Sequence, residues 1–192
     1  MNSRLLKYLV RLLLVLLGVS VIGIVLFLFL YVFWKGKDVM SLSFILDKPA
    51  GVPIGTAGGI FPALAGTAYL GGLSALIGGR LGIGVAAYLV FYAKHNWLSG
   101  LVSFAITGLS GIPSILFGLV GYTLIIYQFG ISRSLLCSAI CVAAMIIPFV
   151  AIRARKIFEE KGREYMINSL SLGLSREYAF RKMIFPVCFP EL

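Results

Sequence analysis

The sequence predicts an all-α, polytopic membrane protein, and three observations support this. Apolar residues make up 60% of the chain and charged residues only 12%, a balance far from that of soluble domains. The apolar residues form four runs, each long enough to cross a hydrocarbon core of about 30 Å. The charged residues gather in the links between the runs and in one basic segment, residues 153–186.

The first run, residues 12–33, follows three basic residues and ends in aromatic residues before Trp34 and Lys35. A cleaved signal peptide has a shorter apolar region that ends in small residues. We therefore predict an uncleaved anchor over residues 1–34, with its amino end in the cytoplasm. Residues 35–59, rich in Gly and Pro, are predicted to form a periplasmic loop.

The second run, residues 60–93, would make a helix of about 50 Å, too long for one straight crossing. It must therefore tilt, bend or leave the bilayer. We predict that this change occurs at Arg80 and its neighbouring glycines, with residues 81–93 continuing along the inner interface. Two interpretations of Arg80 stay open, a side chain that snorkels to the headgroups and a functional charge at membrane depth. Small residues recur every fourth position and predict close helix packing, on one face Thr67, Gly71, Ala75 and Gly79, on another Gly78, Gly82 and Ala86.

The third run, residues 98–128, contains Pro113, which removes a backbone donor and predicts a kink or a broken helix near the middle of the membrane. Before it, Lys94, His95 and Asn96 form a polar link that we expect inside, with His95 as a solvated surface residue. The fourth run, residues 134–152, should bend at Pro148 and deliver the chain to the basic segment.

The net charge of +10 does not indicate nucleic acid once the charges are placed. With four crossings and an inner amino end, twelve of the 17 Lys and Arg residues lie inside, four lie outside, and Arg80 lies within a run. This asymmetry follows the positive-inside rule of membrane proteins.

The basic segment predicts two short amphipathic helices joined at Gly173. Ser175 is a suitable cap for the second helix, in which Phe180 and Ile184 share one face and the charged residues stay in water. Such a segment next to a membrane is expected to face a soluble partner.

No motif indicates an enzyme, a metal site or a cofactor. The sequence has no G-x-x-x-x-G-K-[ST] loop, so any ATP is hydrolysed by another chain. Residues 82–87 match G-x-G-x-x-A, but packing glycines explain them better, because no βαβ unit surrounds them. The spacing of the three cysteines and one histidine fits no metal site.

Four stretches together resemble one family. They are GGIFPALAGT at residues 58–67, LGIGVAAYL at 81–89, LSGIPSILFG at 109–118, and Leu172-Gly173 followed by Pro186. In order and spacing they resemble the PstA-type permease subunits of phosphate ABC transporters, which have the MetI-like type I permease fold. The chain departs from that pattern at Arg80, Phe91 and Ile167, where the family usually has Pro, Glu and an acidic residue.

The resemblance implies that residues 60–192 form an incomplete ABC type-1 transmembrane domain, since such permeases continue with two more helices. Residues 153–190 would form its coupling (EAA-like) loop. It implies a multi-pass inner-membrane subunit that imports inorganic phosphate, surrounded by lipid. Its partners would be a PstB-like ATPase, a PstC-like second permease and a PstS-like periplasmic phosphate-binding protein, and none would be nucleic acid.

The residues expected to couple to the ATPase are Ser169, Leu170, Leu172, Gly173, Ser175 and Pro186. The anion path is expected around the Pro113 break, where exposed N–H groups and hydroxyls can replace part of the hydration of phosphate. Its candidate residues are Gly111, Pro113, Ser114 and Arg80.

Two alternatives stay open. The chain could be a PstC-type subunit or a permease for another oxyanion. It could also be a non-transporting membrane scaffold or a remnant of a permease gene.

Overall fold

The computed structural model describes residues 3–93 and 96–192, so the predicted polar link at Lys94 and His95 lies outside the described residues. The all-α prediction is confirmed, with one small hairpin added. The elements are α1 Ser3–Gly36, α2 Leu42–Leu46, β1 Pro49–Ala50, β2 Ala57–Gly58, α3 Phe61–Ala87, α4 Trp97–Ser110, α5 Ser114–Gly121, α6 Leu135–Ile157, α7 Arg163–Ser171, α8 Arg176–Ala179 and α9 Phe185–Cys188. They form two compact units, residues 1–64 and 65–192.

The first unit contains the predicted anchor. Residues 6–34 of α1 are all exposed, and the helix is long and apolar enough to span a membrane. A helix that is apolar on every side is typical of a span surrounded by lipid. At its end the Nζ atom of Lys37 lies 5.1 Å from the centre of the Trp34 ring, an arrangement typical of a membrane interface.

Residues 35–59, the predicted loop, contain short elements of regular structure. The Ser41 hydroxyl accepts a hydrogen bond from the Phe44 N–H at 3.1 Å and caps α2, and β1 pairs antiparallel with β2. Gly59 packs closely against α2. A side chain would not fit there, because a Cβ atom would lie 2.5 Å from the Phe44 carbonyl oxygen. Local backbone pairing and the short helix α2 therefore order part of this segment.

The predicted change of direction at Arg80 does not interrupt the helix. α3 passes through Arg80 without a break and continues as a π-helical turn, Tyr88–Tyr92, to make one candidate span of 32 residues. Glycine in a helix costs about 1 kcal/mol relative to alanine but keeps both backbone hydrogen-bonding groups, so it does not end a helix as proline does. Here the glycines are contact points instead.

One of the two predicted small-residue faces packs within the chain. A Cβ atom on Gly82 would lie 2.8 Å from the Val150 Cβ of α6, and one on Gly78 would lie 3.2 Å from the Ile146 Cβ. Between the same helices, the buried Ser74 hydroxyl donates to the Leu70 and Ala139 carbonyl oxygens, at 2.7 and 3.3 Å. On the other face, Gly71 and Gly79 have open space where a side chain would begin.

The predicted break at Pro113 is confirmed. α4 and α5 meet at an angle of 105°, and α5 continues as a π-helical turn, Tyr122–Gln128. In the described part of the chain, three helices are long and apolar enough to cross a membrane, or four if the bent pair counts as one span.

The helix that contains the fourth apolar run extends beyond that run. α6 is capped by Ser134, continues past the fully buried Pro148 and runs through a π-helical turn, Phe158–Gly162, into α7. The continuous helix ends at Ser171, so its last part belongs to the basic segment. Ion pairs one turn apart support this extension, Arg155 with Glu159 at 2.9 Å and Lys156 with Glu160 at 3.8 Å.

Candidate functional site: the basic segment and the broken helix

The basic segment folds as predicted around Gly173. This residue has φ of +82°, which L side chains rarely adopt, and it ends α7 in a Schellman motif. The Leu174 N–H donates to the Ser169 carbonyl at 3.1 Å, and the Gly173 N–H donates to that of Leu170 at 3.0 Å. The Ser175 hydroxyl then accepts from the Tyr178 N–H at 3.3 Å and caps α8, which confirms the predicted cap.

The helix faces are also as predicted. Ala179 and Ile184 have no exposed surface, and Phe180 is half-buried. The charged residues on the other side are exposed, namely Arg176, Glu177, Arg181 and Lys182.

The residues expected to couple to the ATPase fall into two groups. Leu170, Leu172, Gly173 and Ser175 lie together at the turn and are exposed, with Leu172 at 76%. Ser169 is only 1% exposed, so it cannot offer a docking surface. Its hydroxyl donates to the Tyr165 carbonyl at 2.7 Å and to the Met183 sulfur at 3.1 Å, which ties α7 to the turn after α8.

Two further residues define the surface around this turn. Pro186 is exposed but lies in α9, outside the turn itself. Ile167, where the resemblance led us to expect an acidic residue, is 64% exposed. The outer surface of α7 is therefore apolar at this position.

A cluster of three aromatic rings, which we call the phenylalanine cluster, joins the segment to the membrane helices. It consists of Phe91 after α3, Phe158 after α6 and Phe180 after α8, with ring centres 5.5 to 5.9 Å apart. Beside it, the Arg176 Nη1 donates to the Phe91 carbonyl oxygen at 3.1 Å. Sequence reasoning placed Phe180 on a buried face but missed Phe91 and Phe158, because their partners are far away along the chain.

The broken helix brings three predicted anion-path residues together. Gly111, Pro113 and Ser114 lie in the break and are exposed, whereas Arg80 lies on an exposed face of α3. The N–H groups of Gly111 and Ile112 donate to carbonyl oxygens at the end of α4, each at 3.2 Å. Because these donors are occupied, the break offers fewer exposed N–H groups than the sequence suggested.

Two cavities flank the contact between α5 and α6. At that contact Gly121 lies against the Cys141 sulfur, and no Cβ atom would fit between them. One cavity, about 390 Å³, is lined almost entirely by apolar side chains, among them Leu109, Phe117 and Ile140. The other, about 370 Å³, has Arg133 on its wall, with the guanidinium 5.7 Å from the centre of the Tyr122 ring.

The known proteins that resemble this chain are components of membrane transport systems. The family described as binding-protein-dependent transport system inner membrane component matches residues 78–192. The probable ABC transporter permease protein YqgI of Bacillus subtilis is 25% identical over 165 residues, which cover 86% of this chain and 55% of that protein. No solved structure matches the chain.

Several relatives carry phosphate in their names. The phosphate transport system permease protein PstA 2 of Mycobacterium bovis is 31% identical over 138 residues, covering 72% of this chain and 46% of that protein. PstA of Yersinia pestis is 37% identical over 93 residues, covering 48% of this chain and 31% of that protein. The chain thus spans about half the length of the curated relatives it matches, or less.

The matched range contains the helices that make up most of the second unit, together with the break at Pro113 and the turn at Gly173. The relatives are permease subunits rather than enzymes, in keeping with the lack of an ATP-binding loop in this sequence. The chain belongs to the family of binding-protein-dependent transport system inner membrane components.

Proposed function

We propose that the chain is a permease subunit of an ATP-driven importer that carries inorganic phosphate across the cytoplasmic membrane. The observation that carries this proposal is the exposed turn at Gly173. The phenylalanine cluster packs the segment that contains this turn against the ends of α3 and α6. The phosphate transport permeases among the relatives support the choice of anion.

In this proposal the amino end and the basic segment lie in the cytoplasm, and residues 35–59 lie in the periplasm. The charge asymmetry supports that orientation. Residues 1–34 anchor the chain, residues 60–192 contribute the transmembrane domain, and residues 153–190 contain its coupling loop.

The turn would bind in a groove of a PstB-like ATPase subunit. Leu170 and Leu172 are exposed apolar side chains that such a groove can bury. Ser169, Gly173 and Ser175 hold the geometry of the turn rather than supply contact area. ATP binding by the partner would displace the turn and, with it, the attached membrane helices.

The anion would pass the break between α4 and α5, next to a PstC-like permease subunit, after delivery by a PstS-like binding protein. Ser114 can donate a hydroxyl hydrogen bond, and Pro113 keeps the backbone irregular at that point. Arg80 would attract the anion if it faces the same path.

The docking role can be tested with Leu172→Asp, measured by co-purification with the ATPase subunit. We expect association to fall by about tenfold or more, because a charge replaces a buried apolar contact. Leu42→Asp is the control, since Leu42 is 73% exposed and lies in the proposed periplasmic region. Equal association of both variants with the ATPase would contradict the docking role.

The choice of anion needs a separate measurement. Cells that depend on this transporter should take up labelled phosphate, and an excess of sulfate should not compete. Uptake of another oxyanion instead would favour the alternative permease. A chain that neither binds an ATPase nor supports uptake would favour the scaffold or remnant interpretation.

A further inference from the structure

We propose that Arg176 and the phenylalanine cluster fix the carboxyl-terminal end of α3 to the basic segment, so that α3 and α6 follow the segment as one body. This inference rests on the proposed function. In this inference Arg176 and Phe91 are positioning residues. They transmit motion of the turn to α3, which no continuous helix joins to the basic segment.

The two spans differ in how they reach the segment. α6 runs without interruption into α7, so any displacement of α7 reaches α6 through the helix itself. α3 ends with its π-helical turn at Tyr92, and the whole of α4 to α6 separates it from the segment along the chain. Its attachment must therefore come from side-chain contacts.

The apolar part of that attachment is tightly packed. Phe158 has no exposed surface, and its ring centre lies 5.5 Å from that of Phe91 and 5.9 Å from that of Phe180. A Cβ atom on Gly162 would lie 2.7 Å from the Phe91 Cζ and 3.1 Å from the Ile184 Cγ2. Close-packed side chains transmit displacement because they leave no void to absorb it.

The polar part comes from Arg176. Its guanidinium donates to the carbonyl oxygen of Phe91, in the last turn of the helix that begins with α3. Carbonyl groups in a last turn lack helical donors, and a cation is favourable at that end of a helix. Because Arg176 opens α8, this hydrogen bond joins α3 to the part of the segment that follows Gly173.

The other membrane helices are attached differently. α4 is linked to α6 by a hydrogen bond from Arg155 Nη1 to the Ser103 hydroxyl at 2.9 Å, and α5 is flanked by the two cavities. α5 also touches α6 closely, because Gly121 lies against the Cys141 sulfur.

The first test compares Arg176→Ala with Arg181→Ala in the transporter complex. Arg181 is a matched control. It is exposed, lies five residues after Arg176, and its ion pair with Glu177 is long, at 3.9 Å. We expect both variants to keep the wild-type melting temperature and to bind the ATPase. The phosphate imported per ATP hydrolysed should fall by about fivefold for Arg176→Ala alone.

Arg176→Lys should recover part of that ratio, because the ammonium can donate to the same carbonyl oxygen. An equal ratio in the Arg176→Ala and Arg181→Ala variants would overturn the role of Arg176. Failure of the wild-type chain to bind an ATPase would instead count against the proposed function, so the two failures are distinguishable.

The second test measures whether the two parts move together. Spin labels on Tyr92→Cys and Arg181→Cys, both exposed sites, would report their separation by electron paramagnetic resonance in a chain without its native cysteines. We expect the separation to change by less than about 2 Å between nucleotide-free and ATP-bound complexes. A larger change, in a complex that still transports phosphate, would overturn the single-body proposal.

Discussion

Where α3 and α6 meet the basic segment, Phe158, Ile184 and Cys188 have no exposed surface, whereas two cavities of about 390 and 370 Å³ flank the contact between α5 and α6. Both regions are apolar, so composition does not explain the difference. In lipid, apolar side chains gain nothing by leaving the solvent, and helices meet only where small residues fit. Next to water, the hydrophobic effect closes the gaps.

The two regions therefore differ in packing, and we expect them to differ in stability and in accessibility to reagents. Four measurements, ordered by the size of the expected change, test this difference.

Phe158→Ala should lower the free energy of unfolding by about 3 kcal/mol or more, because it leaves a cavity among packed rings. Phe149→Ala is the control on the same helix, since Phe149 is 54% exposed. Unfolding in detergent measures both changes. Similar losses in the two variants would show that the cluster is no better packed than a lipid-facing surface.

Gly82→Val should lower the free energy of unfolding by about 2 kcal/mol, because its Cβ would clash with Val150. Gly79→Val, three residues earlier on α3, places the same side chain in open space and should be nearly neutral. The same unfolding assay compares them. If Gly79→Val is equally harmful, the contact with α6 is not the cause.

Gly173→Ala should lower the free energy of unfolding by about 1 kcal/mol, because alanine is strained at φ of +82°. Gly111→Ala, at the other chain reversal, should have little effect. Its φ is −89°, and the nearest atom to an added Cβ would be the Gly108 carbonyl oxygen at an ordinary 3.6 Å. If the Gly173→Ala variant is as stable as the wild type, the proposed docking turn does not require glycine at this position.

Cys188 and Cys141 should differ in their reaction with N-ethylmaleimide. Burial raises the pKa of the Cys188 thiol, with Glu191 adding to the effect, so less of the reactive thiolate forms at neutral pH. Cys141, on the wall of both cavities, should react about tenfold faster at pH 7, and labelling of Cys188 should increase as the pH rises. Mass spectrometry measures the rates. Equal labelling rates of Cys141 and Cys188 in the folded protein would indicate that the reagent reaches both regions equally well.

The parts of the site that the sequence predicted correctly depend on local backbone chemistry. Pro113 lacks an N–H group, Gly173 tolerates a positive φ, and the Ser175 hydroxyl reaches a nearby N–H. Each effect involves only neighbouring residues. The break, the turn and the cap could therefore be predicted without knowing what surrounds them.

The parts that the sequence did not predict depend on distant contacts. Arg80 suggested a bend, yet Gly78 and Gly82 pack against α6 and the helix continues. Ser169 suggested a docking contact, yet its hydroxyl lies against Met183. In each case the partner lies on another stretch of the chain, and periodicity carries no information about it.

The amino-acid sequence alone indicated a chain of several membrane-spanning helices with one basic, charged segment. Those properties follow from composition, run length and charge, each of which acts residue by residue against lipid or water. Only the tertiary structure decided that Phe91, Phe158 and Phe180 meet and that Arg176 reaches the end of the α3 span. The physical reason is that such packing depends on three-dimensional fit between surfaces far apart in the chain.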